Sequence, residues 1–280
     1  MSTIVSIQSQ VVAGHVGNAA AVPQMQDAGF TVLAVPTVLF SNHPGHGRFR
    51  GRVTDPTLVG DLLLGLEEHG VLDDTVCVVS GYLGSRETGE AVAAFVDRAL
   101  VAGPGIVYVC DPVMGDTGSG VFVAPGVVDV LRDELARRAH VLTPNQFELG
   151  LLVSGPVVAA PGEGSVDDLA AAARTLIGPV QHGVVVTGCY LVDTEPGVIE
   201  TVVVERESVT RVPSIKESDA PNGTGDLFNG ALTAALASGA TLPDAARDAA
   251  DAVSRALRWT AEQGSRHLLL PPTGWNPAER

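Results

Sequence analysis

Lysine is nearly absent. Of the 17 basic residues in the 280-residue chain, Lys216 alone is a lysine. A P-loop needs a Lys just after its last glycine, so that phosphate cradle is excluded, and Lys216 has no Schiff-base surroundings. Aromatics make up only 4% of the chain while apolar residues make up 45%, so a sizeable core must be built from Val, Leu and Ala. Cysteine is scarce: Cys77, Cys110 and Cys189 are an odd number, widely spaced, with no CxxC and no Cys/His ligand spacing. Neither a disulfide framework nor a zinc site is indicated, and three reduced thiols in a cytoplasmic protein are expected. No apolar run approaches the ~18 residues of a membrane span. The opening "MSTIVSIQSQ" has no positive n-region, so no signal peptide is expected. Positive charge is also short: net charge is −15 and pI about 4.7, which argues against nucleic acid and anionic membrane as partners. An anionic ligand would have to be drawn by local groups: helix N-termini, a few Arg or a bound cation. A dinucleotide fingerprint is missing too, because "GDTGSG" has the wrong spacing.

What the chain does have is alternation. "TIVSIQS" (3–9), "FTVLAVP" (30–36), "TVCVVS" (75–80), "IVYVC" (106–110), "HVLTP" (140–144) and "HGVVVTG" (182–188) read as strands. Between them, 17–28, 56–69, 86–101, 125–138 and 166–177 read as helices, followed by 226–238 and 243–262. The strands are almost continuously apolar, as expected where helices cover both sheet faces. The fold class is therefore α/β, with a mostly parallel central sheet built of right-handed βαβ units. The stretch 198–212 has strand character without an intervening helix and reads as a hairpin at the sheet edge. No repeat or linker divides the chain, so one domain over 1–280 is expected. The polar, cationic stretch "SNHPGHGRFRG" (41–51) reads either as a solvated loop or as a flap over a site.

Ligands of an open parallel sheet sit at the carboxyl ends of its strands. There the chain places Ser9, "TVLFSNH", "GYLGS", "DPVMGD", "TPNQFE" and "TG", mostly polar or acidic with Gly or Pro for turning. Asp111, Asp116, Asn145 and Glu148 are oxygen ligands of the kind Mg²⁺ takes; as plain structure, they are helix caps and turn formers, and N-x-x-E is close to a capping box. In "NGTGDLFNGAL", the backbone N–H groups of Gly223, Thr224 and Gly225 can converge at a helix start as an anion hole. An acid, Asp226, follows where phosphates would be expected. It can cap its helix or accept the proton of an alcohol attacking phosphorus, and local sequence weighs the two equally.

"NGTGDLFNGAL" resembles the signature of ribokinase-like sugar and vitamin kinases. With "SIQSQVVAGHVGNAA", "FSNH", "SGYLGS", "CDPVMGD", "VAPGV" and "TPNQFELGLL" in order, the chain resembles the pyridoxal kinase family over nearly its whole length. The resemblance implies a ribokinase-like fold and transfer of the ATP γ-phosphoryl group to the 5′-hydroxyl of pyridoxal, extended to pyridoxine and pyridoxamine. It implies Mg²⁺ and a monovalent cation such as K⁺, and a homodimer. By motif, Ser9, Val16, His43, Pro44, Gly45 and Tyr82 would line the vitamin pocket, with Asp226 as base. Asp111, Asp116, Thr143, Asn145, Glu148, Thr187 and Thr224 would face the nucleotide, Asp111 and Glu148 its metal, and Val212, Pro213 and Ser214 the adenine. Three departures fall on the acceptor side: Pro44 where the family has Thr, Phe49 where it has Trp, and Pro221–Asn222 where apolar residues are common. The alternatives are a kinase of another small alcohol such as hydroxymethylpyrimidine, and a non-catalytic vitamin B6 binder.

Overall fold

The computed structural model describes residues 2–153, 162–217 and 220–275, so Asp219, at the head of the glycine-rich stretch, lies outside them. The chain runs β1 (Thr3–Ala13), α1 (Asn18–Asp27), β2 (Thr31–Asn42), β3 (Gly51–Val53), α2 (Pro56–Glu68), β4 (Thr75–Ser80), α3 (Arg86–Ala102) and β5 (Val107–Cys110). A small hairpin of β6 (Gly115–Asp116) and β7 (Gly120–Val121) leads to α4 (Val127–Val130), continued through a π turn into α5 (Ala136–Arg138). Then come β8 (Val141–Leu142), α6 (Gln146–Leu152), α7 (Val166–Arg174), β9 (Gly183–Cys189), β10 (Val198–Glu205), β11 (Val209–Ile215), α8 (Thr224–Ala237) and α9 (Leu242–Glu262).

The main sheet has the order β11-β10-β9-β8-β5-β4-β1-β2-β3. From β9 to β2 every neighbour is parallel; β10, β11 and β3 are antiparallel additions at the two edges. The apolar strand runs split between two faces residue by residue. Val5, Val78, Val184 and Val202 pack with α2, α3 and α7 on one side, while Ile4, Cys77, Val185 and Val203 pack with α1, α8 and α9 on the other. This is why the strands read as unbroken hydrophobic runs. With so few aromatics, the fully buried large side chains are chiefly aliphatic, joined by Tyr108 and Phe95. Tyr108 satisfies its hydroxyl on Ser80 Oγ at 2.7 Å. All three cysteines are free and buried.

Two expectations need correction, and the structure defines the setting of 41–51. β2 does not stop at Pro36 but continues to Asn42, because Pro36 pairs only with β1 and a register shift after Gln8 absorbs the missing N–H. Residues 41–51 form the tip of the arm made by β2 and β3, a loop whose base is closed where Ser41 N donates to Arg50 O at 2.7 Å and Arg50 N to Ser41 Oγ at 2.9 Å. The helix expected over 125–138 is broken in register by the π turn Leu131–Leu135.

One contact brings α8 tightly against α1. A Cβ on Gly230 would stand 2.6 Å from both Cα and O of Ala21 on α1. Gly230→Ala should cost about 1–3 kcal/mol in overpacking, against about 1 kcal/mol gained in helix propensity. Thermal melts should show a lower Tm, by roughly 2–4 °C per kcal/mol of net loss. An unchanged or higher Tm would mean that α1 and α8 can separate freely.

Candidate active site

The start of α8 is set by two glycines that belong to different turns. Gly223, the N-cap, has φ 103°, and a Cβ there would overlap the carbonyl oxygen of His15. Gly17, before α1, has φ 56° and ψ −135°, and its Cβ would overlap Ser9 Oγ and O. Only glycine fits either place. The close approach lets the Gly17 N–H donate to the Asp226 carboxylate. No side chain caps α8, so Asp226 does not serve as its cap. Burial pushes the Asp226 carboxyl up to about 6, and the Gly17 hydrogen bond pulls against that rise.

Asp226 lies on the wall of two adjoining cavities. The first, about 180 Å³, opens at the ends of β5, β8 and β9 and is lined by Asp111, Thr143, Asn145, Glu148, Thr187 and Gly225, with Asp116 at its rim. No Lys or Arg among the described residues lines it. Glu148 is spoken for twice. Asn145 and Glu148 close a capping box on α6, with Glu148 N donating to Asn145 Oδ1 at 2.8 Å and Asn145 N to Glu148 Oε2 at 2.9 Å. Glu148 Oε1 also accepts from Met114 N at 2.9 Å and Gly115 N at 3.3 Å, and Asn145 Nδ2 donates to Gly115 O at 2.8 Å. The capping residues thereby fasten the "DPVMGD" loop. Asp116 forms the hairpin turn, accepting from Gly118 N at 2.7 Å and Ser119 N at 2.6 Å.

Asp111 is buried, and its carboxyl is raised well above the ordinary carboxylate range by burial, then by Glu148, then by Asp226. Burial raises Glu148 as well, but three amide N–H donors satisfy its charged form. Asp111 has no such donors among the described residues, so nothing offsets the rise that burial and its acidic neighbours impose on it. Among the described residues no three His, Cys, Asp or Glu side chains could hold a metal by themselves. Two or three carboxylates with room for water do fit Mg²⁺, which keeps most of its hydration shell.

The second cavity, about 420 Å³, is lined by Ser9, Val16, His43, Pro44, Gly45, Tyr82 and Asn222, with Val38, Phe40 and Phe122. His43 Nδ1 accepts from Gly45 N at 3.1 Å, so its Nε2 carries the proton as a donor. Phe49 is half-exposed and packs edge-on against Phe40 at 4.9 Å, so it buttresses this wall from outside. A third opening beside Asp116 and Asn145 carries Tyr190 and Lys216, whose Nζ stands 4.3 Å above the Tyr190 ring.

Most residues singled out by motif therefore converge on one edge of the sheet. Val212, Pro213 and Ser214 do not: they lie on edge strand β11, Val212 is buried against the α1/α8/α9 layer, and none of the three lines these cavities. Motif reading passed over Phe40, Val113, Phe122 and the Gly17 amide. The glycine of "G-H-V-G-N" was the available signal for the last.

The family model for phosphomethylpyrimidine kinase matches residues 69–270. The chain is 41% identical over 268 residues to the pyridoxal kinase PdxY of Leifsonia xyli, covering 95% of this chain and 92% of that protein. It is 39% identical to the pyridoxine/pyridoxal/pyridoxamine kinase of Bordetella bronchiseptica, with the same two coverages, 95% and 92%. Among solved structures, the pyridoxal kinase of Leishmania donovani in complex with ADP and pyridoxamine superposes with a TM-score of 0.84 at 29% identity, covering 96% of this chain and 91% of that one.

The strained electrostatics of the first cavity can be read from stability. A carboxyl whose folded pKa is raised favours the folded state while both forms are protonated, and that advantage is lost as pH rises towards the folded value. Asp111→Asn, which mimics the protonated form, should therefore stabilise the ligand-free protein more at pH 8 than at pH 5. The gain at pH 8 should be at least about 2 °C in Tm, the size of a 1 kcal/mol effect in a chain this long. A Tm difference that does not grow with pH would show that Asp111 is ionised at no cost.

Proposed function

The chain belongs to the pyridoxal kinase family and is an ATP-dependent kinase of vitamin B6, and we propose that Asp226 is the base that carries out its phosphoryl transfer. The observation that carries this reading is the position of Asp226 on the wall common to the two cavities. The cavity of Asp111, Thr143, Glu148 and Thr187 takes the nucleotide phosphates, and the cavity of Ser9, Val16, His43 and Tyr82 takes the vitamin ring. Pro44 and Gly45 close the second cavity from the arm.

In this reading the 5′-hydroxyl oxygen of pyridoxal attacks the γ-phosphorus as its proton passes to Asp226. The bond from that phosphorus to the β–γ bridging oxygen breaks, and ADP leaves with the electron pair. A carboxyl held near 6 is largely ionised at neutral pH yet basic enough to take the proton. The Gly17 N–H aims it. The N–H groups of Gly223, Thr224 and Gly225, at the positive end of α8, face the charge that moves onto the phosphoryl oxygens. Asp111 and Glu148 would hold Mg²⁺ through its waters, and the ion would neutralise the phosphates in a cavity whose described lining has no cationic side chain. We extend the proposal to K⁺ as a monovalent activator, with no residue assigned to it. Val212–Ser214 are kept only as a second wall for the adenine, beyond the described cavities.

Asp226→Asn should lower turnover of pyridoxal by about 10²–10⁴-fold. MgATP binding should stay near wild type and Tm should not fall, since no cap is lost and a carboxyl raised by burial becomes a neutral amide. One titration, one melt and one progress curve are enough. Near-normal turnover in the folded variant would remove Asp226 as base.

We further propose a homodimer. It is supported by Leu58, Leu62 and Leu64 on α2 and Leu39 on β2, which are exposed at 41–51% near one sheet edge. Light scattering should give twice the 28.8 kDa chain mass, and a concentration-independent monomer would end the proposal.

A further inference from the structure

His43, His46 and His267 form an imidazole row that joins two separate segments. His46 lies 5.5 Å from His43 on its own arm and 4.4 Å from His267 on the segment after α9, with the last two rings nearly perpendicular at 82°. Asn222, just before the anion hole, reaches His46 Nε2 with Nδ2 at 3.3 Å. The segment that bears His267 is itself anchored, since the His15 ring bonds Leu268 O at 2.7 Å. His15 in turn abuts Gly223. Phosphoryl transfer as derived above uses neither His46 nor His267.

We propose that His46 is a positioning residue: as a neutral ring it latches the arm that carries His43 onto the C-terminal segment and the approach to α8, and its protonation releases the arm. The proposal rests on the reading of the second cavity as the acceptor's.

The neutral form is built into the contacts. Asn222 donates to Nε2, so the ring's single proton is on Nδ1, which is buried without a partner. A second proton would set N–H against N–H at Nε2. The titratable group acting on His46 is His267 from the C-terminal segment; on its own arm, His46 in turn lowers His43. From the approach to α8 it meets the neutral Asn222 amide. These neighbours are cations when charged, and no carboxylate among the described residues acts on His46. Burial and then His267 accordingly hold it below the ordinary histidine value. His43 would be freed with the arm and lose the fixed direction of its Nε2–H.

The test is the pH dependence of the Michaelis constant for pyridoxal, from pH 8 to 5.5 at saturating MgATP, in wild type, His46→Phe and His267→Phe. Using one substrate throughout cancels its own titration, and the acid limb due to Asp226 is common to all three. The wild-type constant should climb below about pH 6.5, by up to about tenfold per unit, while that for MgATP does not follow. His46→Phe should start higher at pH 8 and stay level, so that the two curves converge at low pH. His267→Phe should move the wild-type midpoint to higher pH, because one opposing cation is gone. Parallel curves for wild type and His46→Phe, or a rise shared with MgATP, would overturn the proposal. So would an unmoved midpoint in His267→Phe if His46→Phe does not fold.

A readout without turnover separates this proposal from the kinase reading on which it rests. Amide exchange of residues 43–50, corrected for intrinsic rates, should quicken in wild type between pH 7.5 and 5.5. Unchanged protection overturns the latch even if pyridoxal is turned over normally. Absence of pyridoxal turnover at pH 8 in wild type would count against the acceptor reading instead, and the exchange result would still decide the latch.

Discussion

Two backbones meet at the head of α8 where neither leaves space for a side chain, and the catalytic edge is organised around that meeting. Gly17 lies on Ser9 and Gly223 lies on His15, so the turn after β1 and the turn before α8 interlock. The interlock turns the Gly17 N–H onto Asp226 and leaves the first amides of α8 unpaired by any capping side chain. It also places Ser9 and Val16 on the same wall as Asp226. The setting of Asp226, the free amides at the head of α8 and part of the larger cavity's wall thus follow from one steric condition. Shifting either turn would disturb all of them together.

Around that point the electrostatics run against ordinary stability. Asp111, Glu148 and Asp226 gather acidic charge in a chain that is already acidic overall, and burial raises each of them. Glu148 relieves its share by accepting backbone N–H groups from the loop it fastens. Asp111 has no such donors among the described residues, and its carboxyl is the one raised furthest from the ordinary range. In the proposed reading, a metal ion bound with the nucleotide would relieve this repulsion. Attraction for a polyphosphate would then come from the ion and the helix end, since no Lys or Arg among the described residues lines the cavity.

How much of this was legible depended on the range of the forces involved. The both-faced apolar strands, the helices between them and the polar strand ends are local patterns, and all were readable; the edge hairpin of β10 and β11 was too. The continuation of β2 through Pro36 was not, because it depends on a register shift in β1 that no local signal marks. The π turn in the helix after α4 was hidden by a normal apolar period. Val212–Ser214 matched a family motif, yet the strand that carries them turns Val212 into the core. Asp226 as cap or base was undecidable from "G-T-G-D" alone. What bears on the choice is the approach of the Gly17 amide, more than two hundred positions away, and the cavities the folded chain sets on either side of Asp226. The row His43–His46–His267 was invisible for the same reason, since its members come together only in the folded chain.

The near-absence of lysine acquires a chemical meaning once the substrate is an aldehyde. Pyridoxal and its phosphate ester condense with primary amines to form imines, and lysine is the side chain that offers one. Arginine carries the positive charge elsewhere in this chain, and its delocalised guanidinium is permanently protonated and a poor nucleophile. The single ε-amino group sits over the Tyr190 ring, outside the cavity where the aldehyde would lie. An enzyme so composed presents almost no surface for its own product to modify, and the reactive carbonyl can leave unspent for the apoenzymes whose lysines await it.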